Sequence, residues 1–286
     1  LVLFFKKELL PSLTEPTLPP LRDVIATFHL DARRKLGQHF LLDENLTAKI
    51  ARQAGDLTGR HVVEVGPGPG GLTRALLDTG VAQIVAIEVD PRAAEAVRAL
   101  AAQRSRLRVV EADAMATDLT SLAPAPRQIV ANLPYNVATP LLIGWLRQAA
   151  SWERFTLMFQ LEVAVRIAAG VNSEAYGRLS VLAQWICTVS LLMRIPPSAF
   201  TPPPKVVSAV VGLIPRPVQP EPALFAAMER VTAAAFGQRR KMLRGSLRAL
   251  GGEALLERAG IAGDRRAETL SVEEFEILAE LVMKQG

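Results

Sequence analysis

A single cysteine among 286 residues excludes a disulfide framework and a thiolate zinc site. Cys187 lies in the apolar run LAQWIC (182–187), the setting of a buried, inert thiol rather than a nucleophile. Histidine is nearly as scarce. His29, His39 and His61 stand far apart and form no metal-ligand spacing, so no metal is expected. No run approaches the ~18 consecutive apolar residues of a membrane-spanning helix. The opening residues, LVLFFKKELLPSLTEPTLPP (1–20), put five apolar residues before a lysine pair, too few and in the wrong order for a secretory leader. Their prolines suggest a loose arm over residues 1–22. The expected setting is the reducing cytoplasm.

Half the residues are apolar and 21% are charged, an ordinary globular balance with room for one large domain and a small one. Basic side chains outnumber acidic ones by 33 to 28, a net charge of +5. That surplus permits contact with phosphates but selects no partner.

From residue 60 onward, short β-branched runs alternate with longer helical ones. HVVEV (61–65), QIVAIEV (83–89), LRVVEAD (107–113) and QIVA (128–131) are strand candidates separated by helix-forming segments such as PRAAEAVRALAAQ. Strands that are apolar throughout and joined by helices predict a parallel sheet covered on both faces. FTLMFQ (155–160), VSLLMRI (189–195) and VVSAVVGLI (206–214) extend it into a strand-rich end. The expectation is a doubly wound, Rossmann-like α/β domain over 23–217. After the proline cluster PRPVQPEP (215–222) the pattern turns helical, predicting a smaller all-α domain over 218–286. Ser271 and Glu274 form a capping-box signature for its last helix.

EVGPGPGG (64–71) is a strand-to-helix glycine turn in which Gly66, Gly68 and Gly71 satisfy G-x-G-x-x-G. Glu88 ends the following strand, near the spacing at which an acid meets ribose hydroxyls. This pairing fits a dinucleotide and fits S-adenosylmethionine equally well. Asp113 follows the third strand candidate and Asn132 ends the fourth, so four successive strands deliver Gly66, Glu88, Asp113 and Asn132 to one rim. Ligands of open α/β sheets bind in that crevice. Asp113 could accept from the exocyclic amine of an adenine.

The tetrapeptide Asn132-Leu133-Pro134-Tyr135 separates the two cofactors. The exocyclic amine of adenine is a poor nucleophile because its lone pair is delocalised into the ring. Two acceptors on its N–H groups, the Asn132 side-chain oxygen and the Leu133 carbonyl, would aim that lone pair at a methyl donor. Pro134 would brace the backbone, and Tyr135 would offer a ring face to an extruded base.

The chain resembles the ribosomal RNA adenine dimethyltransferases, the KsgA/RsmA family, and is less similar to the erythromycin-resistance methylases. The likeness rests on RRKLGQHFL (33–41), EVGPGPGGLT (64–73), IEVD (87–90), EADAM (111–115) and NLPYNVATPLL (132–142). NSEAYGRLSVLAQ (172–184), PPSAFTPPPKV (196–206) and AFGQRRKMLRGSL (235–247) extend it. The resemblance implies transfer of methyls from S-adenosylmethionine to N6 of two neighbouring adenosines near the 3′ end of small-subunit rRNA, in an assembling 30S particle, by a monomeric enzyme. By position it implies that His39, Leu41, Gly66, Gly68, Glu88, Asp113 and Asn132 line the cofactor site. It also implies that Leu133 offers its carbonyl and that Tyr135 and Phe200 sandwich the target base. Two departures stand out: His39 where relatives often carry Asn, and Val207 where they carry Asp.

GQRRKMLRGSLR (237–248) holds Arg239, Arg240, Lys241, Arg244 and Arg248 without an acid. On a continuous helix Arg240, Arg244 and Arg248 would share one side, a phosphate-tracking surface beside a base-modifying site. RRK (33–35) could serve the same end. The competing readings are a non-catalytic RNA- or ribosome-binding factor that keeps the fold, a nicotinamide dehydrogenase and a DNA adenine methylase.

Overall fold

The computed structural model describes residues 17–30, 38–238 and 241–285. Strands form where the sequence runs apolar. Besides the two-residue β1 (Phe40–Leu41), the early strands are β2 (His61–Val65), β3 (Gln83–Glu88), β4 (Leu107–Glu111), β5 (Arg127–Asn132) and β6 (Arg154–Gln160). The later ones are β7 (Cys187–Ile195), β8 (Phe200–Thr201) and β9 (Ser208–Pro215). Seven of them make one sheet in the order β4-β3-β2-β5-β6-β9-β7. The first five are parallel to one another, and β9 runs antiparallel to both β6 and β7.

Helices α1 (Leu21–Thr27), α2 (Glu44–Gln53), α3 (Gly71–Leu77), α4 (Pro91–Ala101), α5 (Ala138–Leu146), α6 (Leu161–Ala168) and α7 (Arg178–Ile186) surround the sheet. Their starts are written locally. Asp43 caps α2 by accepting from the Asn45 and Leu46 amides at 2.9 and 3.2 Å, and Asp90 caps α4 ahead of Pro91. Successive strand residues feed opposite layers. Val63, Val85 and Ile129 join Leu142 and Leu182 on one side, while Val62, Ile84 and Val130 join Leu76 and Val97 on the other. With both faces covered, the central strands β2, β3, β5, β6 and β9 are buried almost throughout, whereas the edge strands β4 and β7 keep exposed residues.

The chain reverses its winding between β2 and β5. From β2 it proceeds outward to β3 and β4, then returns to place β5 on the other side of β2. The segments leaving β2 and β5 therefore open a crevice between them, and it holds the glycine turn and Asn132.

The sequence beyond residue 217 is helical, as expected: α8 (Pro222–Phe236), α9 (Leu243–Ser246), α10 (Gly252–Ala259) and α11 (Val272–Met283). Ser271 and Glu274 make the predicted capping box, each side chain bonding the other's amide at 3.2 and 2.8 Å. These helices do not have a core of their own. Met228, Phe275 and Leu278 belong to the same apolar cluster as Val63 and Leu157 in the sheet.

The single basic helix expected over 237–248 does not form. Gly237 ends α8, and Met242 is extended. The Leu243 and Arg244 amides then bond the Arg265 and Gly263 carbonyls at 2.8 and 3.0 Å. Those distant carbonyls take the amides that a continuing helix would use, so the expected stripe of arginines is broken. Lys241, Arg244 and Arg248 are exposed around this turn. Arg239 and Arg240, like the RRK of 33–35, lie outside the described residues.

The arm expected over 1–22 is anchored at its far end. Leu21 is buried at the start of α1, and Arg74 Nη1 donates to the Pro19 carbonyl at 2.7 Å; residues 1–16 lie outside the described part. Among the described residues no helix is long and apolar enough to cross a membrane. The shared core yields a prediction. Phe275, fully buried, should cost about 3–5 kcal/mol on replacement by alanine. Urea unfolding of Phe275→Ala should remain one transition for sheet and helices together; an early separate loss of helix would contradict the shared core.

Candidate active site

At the carboxyl ends of β2 to β5 lies a cavity of about 290 Å³. Gly66, Gly68, Glu88, Asp113, Asn132, Leu133 and Tyr135 line it, with His39 and Leu41 arriving from a segment before β2. That segment is held over the rim by a short antiparallel pair, β1 with β8, in which Leu41 faces Phe200. Two glycines allow the approach. Gly68 has φ +55°, and a Cβ there would stand 3.0 Å from the Phe40 ring. At Gly71 a Cβ would meet the Leu41 carbonyl oxygen at 2.5 Å. A side chain at either position would push β1 off the site.

The acids are held differently. Glu88 is 6% exposed. It accepts from the amides of Val89 and Asp90, both at 2.9 Å, and of Gly68 at 3.3 Å. Burial nevertheless raises its carboxyl above the usual range. Asp113 is exposed, with one oxygen accepting from the Met115 amide at 2.8 Å, so its carboxylate faces the cavity mouth in a fixed turn. Val89 and Met115, 55% and 51% exposed, flank these acids with apolar surface suited to a flat ring.

At the β5 corner the Asn132 Nδ2 donates to the His39 carbonyl at 3.2 Å. Its nitrogen is thereby engaged, and Oδ1 is the end of the amide left to accept. The Tyr135 hydroxyl and Ser208 Oγ share a hydrogen bond of 2.5 Å, which fixes the ring beside the His39 imidazole at 5.5 Å between centroids. His39 Nδ1 donates to the Pro202 carbonyl at 2.8 Å, which fixes the ring's orientation. The predicted second wall of the base sandwich stands elsewhere. Phe200 is 3% exposed, its ring meets the His39 edge at 6.4 Å, and it does not line the cavity. Pairing with Leu41 turns Phe200 into the apolar layer around Leu72 and Ile195, so His39 is the ring that faces Tyr135.

A family profile described as "Ribosomal RNA adenine dimethylase" matches residues 29–284. The chain belongs to this family of ribosomal RNA adenine dimethylases. It is 63% identical over 269 residues to "Ribosomal RNA small subunit methyltransferase A" of Gluconobacter oxydans, covering 94% of this chain and 89% of that protein. It is 60% identical over 264 residues to the protein of the same name from Paramagnetospirillum magneticum, covering 92% and 94%. Among solved structures it is similar to a dimethyladenosine transferase from Plasmodium falciparum, with TM-score 0.72 and 26% identity over 84% of this chain and 96% of that one. It is also similar to the 23S rRNA methyltransferase ErmE, with TM-score 0.64 and 28% identity over 85% and 99%.

Sequence reasoning passed over two members of this dimethylase site. Ser208 is invisible as a Tyr135 partner because they are 73 residues apart and joined only through the β6–β9 pairing. Glu64 stands in the quoted glycine block, and an acid inside an apolar strand is the signal that could have marked it. Glu64 is 1% exposed and lines the cavity. Its Oε2 has no hydrogen-bond partner among the described residues. Burial pushes its carboxyl up to about 8, with the neighbouring Glu88 charge adding to the effect. Raised above its unfolded value, Glu64 keeps a proton in the folded chain that the unfolded chain sheds. Stability should therefore fall as pH rises from the ordinary carboxylate range to about 8, by up to about 1.4 kcal/mol per pH unit from this group. Glu64→Gln should flatten that slope in urea melts between pH 5 and 8.5. An unchanged slope would show that Glu64 is ionised throughout.

Proposed function

We propose that this dimethylase transfers methyl groups from S-adenosylmethionine to N6 of two neighbouring adenosines near the 3′ end of small-subunit rRNA, in the assembling 30S particle. The observation that carries the reading is the engaged nitrogen of Asn132. With Nδ2 bonded to the His39 carbonyl, Oδ1 and the following Leu133 carbonyl are two acceptors for one amine. Holding both N–H groups of an adenine N6 draws its lone pair out of conjugation. Tyr135, pinned by Ser208, gives the extruded base its stacking face. His39, 5.5 Å from Tyr135 between ring centroids, leaves no room for a base between the two rings and instead braces the tyrosine, with Phe200 against the imidazole.

The lining fits S-adenosylmethionine by its donor chemistry. Glu88, steadied by three backbone amides, suits ribose hydroxyls. Asp113, between the exposed apolar side chains of Val89 and Met115, suits an adenine amine and ring. The unused Glu64 oxygen suits a cationic amino group, and the glycine turn admits the backbone-close part of the molecule. When bound, the cofactor supplies a methyl group activated by its sulfonium charge. The chain contributes position, exclusion of water and polarisation of the accepting amine.

Lys241, Arg244 and Arg248, exposed around the turn after α8, would track RNA phosphates, with Arg239 and Arg240 as further candidates from sequence. Such contacts are salt-sensitive and indifferent to base identity. The enzyme acts in this reading as a cytoplasmic monomer that uses no metal. A purely structural ribosome-binding role would leave the acid-lined cavity and the Asn132 arrangement without a use.

Labelled S-adenosylmethionine and unmodified small-subunit particles test the proposal, since absence of label at adenine N6 would overturn it. Asn132→Ala should lower turnover by roughly 10²-fold, the scale of removing one positioned polar contact to a reacting group. Cofactor affinity, measured by calorimetry, should change severalfold at most. Equal losses in both would contradict the two-acceptor role.

A further inference from the structure

A second cavity, of about 930 Å³, opens on the other side of the Tyr135 wall. Its lining begins at Thr139, four residues after Tyr135, and takes in Gln160 and Val207. Gln160 is the strand partner of Ser208, and Val207 is its chain neighbour. The Tyr135–Ser208 hydrogen bond therefore stands between the two cavities. From this wall the second cavity runs along α6 and the start of α7 to Phe236, at the end of α8, two residues before the basic segment leaves the described part.

Its lining surface is mainly apolar, and its two arginines are ion-paired. Val165 and Val206 are 37% and 43% exposed. Arg166 is paired with Glu162, Arg178 with Glu229 at 3.2 Å, and Glu174 adds another acid. That balance suits an uncharged heterocycle and its sugar rather than a row of phosphates. Tyr176 lines the cavity too. It is 2% exposed, and its hydroxyl has no hydrogen-bond partner among the described residues. Burial pushes that hydroxyl up to about 12, so it stays a neutral O–H donor across the working range. A buried donor without a partner is disfavoured until a ligand supplies an acceptor.

We propose that this cavity receives the nucleotide adjacent to the target adenosine on the same RNA strand, its base lying on the Val206 side and an acceptor at its edge meeting the Tyr176 hydroxyl. The proposal rests on the adenine-methylation reading. Extruding one base across Tyr135 unstacks its neighbour as well, and an unstacked base needs a surface on which to lie. The only contribution required of the chain is the groove already continuous with the catalytic wall.

The test compares the unaltered protein with Val206→Glu, Tyr176→Phe and, as a control, Val218→Glu, at a position 86% exposed in the connection before α8. Each is assayed on unmodified small-subunit particles, with cofactor binding and thermal unfolding measured in parallel. Val206→Glu puts a charge where the base would lie and should raise the KM for particles at least about tenfold, on the scale of losing one stacked base. Cofactor affinity and melting temperature should be unchanged. Tyr176→Phe should raise KM severalfold, and Val218→Glu should behave as the unaltered protein. A photoreactive purine next to the target adenosine should crosslink within 160–166, 174–180 or at 206–207. Particle KM unchanged in Val206→Glu, or crosslinks confined to other segments, would overturn the second site alone. If a variant melts early, the crosslink on the unaltered protein decides. Failure of the unaltered protein to methylate adenine would overturn the parent reading, and this site with it.

Discussion

An amide can be read from either end, and everything at this site depends on which end of Asn132 is spent. Its nitrogen donates to the His39 carbonyl across 3.2 Å, so its oxygen is the end left to accept. That carbonyl is not part of the sheet that carries Asn132. It arrives 93 residues earlier in the chain, held over the rim by the pairing of Phe40 and Leu41 with Thr201 and Phe200. Gly68 and Gly71 leave the volume that this strap occupies. The Asn132 end of a central strand is thus oriented by a two-residue strand, a proline-rich loop and two absent side chains. The imidazole of His39 also depends on that loop, through the Pro202 carbonyl.

Charge is distributed to match the two ligands that such an enzyme must bring together. The chain is basic overall, at +5, yet Glu64, Glu88 and Asp113 all line one cavity. Two of these carboxyls are buried beside each other, and neither makes an ion pair among the described residues. Buried acids without a cation favour their protonated forms, and a ligand bearing hydroxyl donors and an ammonium reverses that preference. The exposed Lys241, Arg244 and Arg248 offer the opposite chemistry on the outside. The acids are therefore gathered in the cavity lining, which includes none of these three cations.

Much of this was legible in the sequence because it is local. Apolar runs such as HVVEV and QIVAIEV define central parallel strands, since both of their faces must be covered. The glycine turn, Glu88, Asp113 and Asn132 reach one rim because each follows a strand of the same sheet, and strand direction alone brings them together. Ser271 with Glu274 reads as a cap within four residues. What the sequence concealed is long-range. Phe200 looks like a ring presented by a stiff proline loop, but its pairing with Leu41 turns it inward. GQRRKMLRGSLR has the composition of one basic helix, but the Leu243 and Arg244 amides find partners near residues 263–265. Glu64 hides in a motif whose glycines attract the attention, and only its burial and its unused oxygen mark it out.

The departure at Val207 belongs to the same argument. By the family resemblance it reads as a lost carboxylate in a loop. In the fold, Val207 accepts a backbone hydrogen bond from Leu161 at 2.8 Å and precedes Ser208, the residue that pins Tyr135. The backbone role survives any side chain, whereas an aspartate here would have put a charge into a groove whose guanidinium groups are already matched by glutamates. Valine keeps the far side of the Tyr135 wall apolar and leaves the serine hydroxyl to a single partner. Valine therefore keeps this part of the second cavity's lining apolar and leaves the Tyr135–Ser208 hydrogen bond as it is.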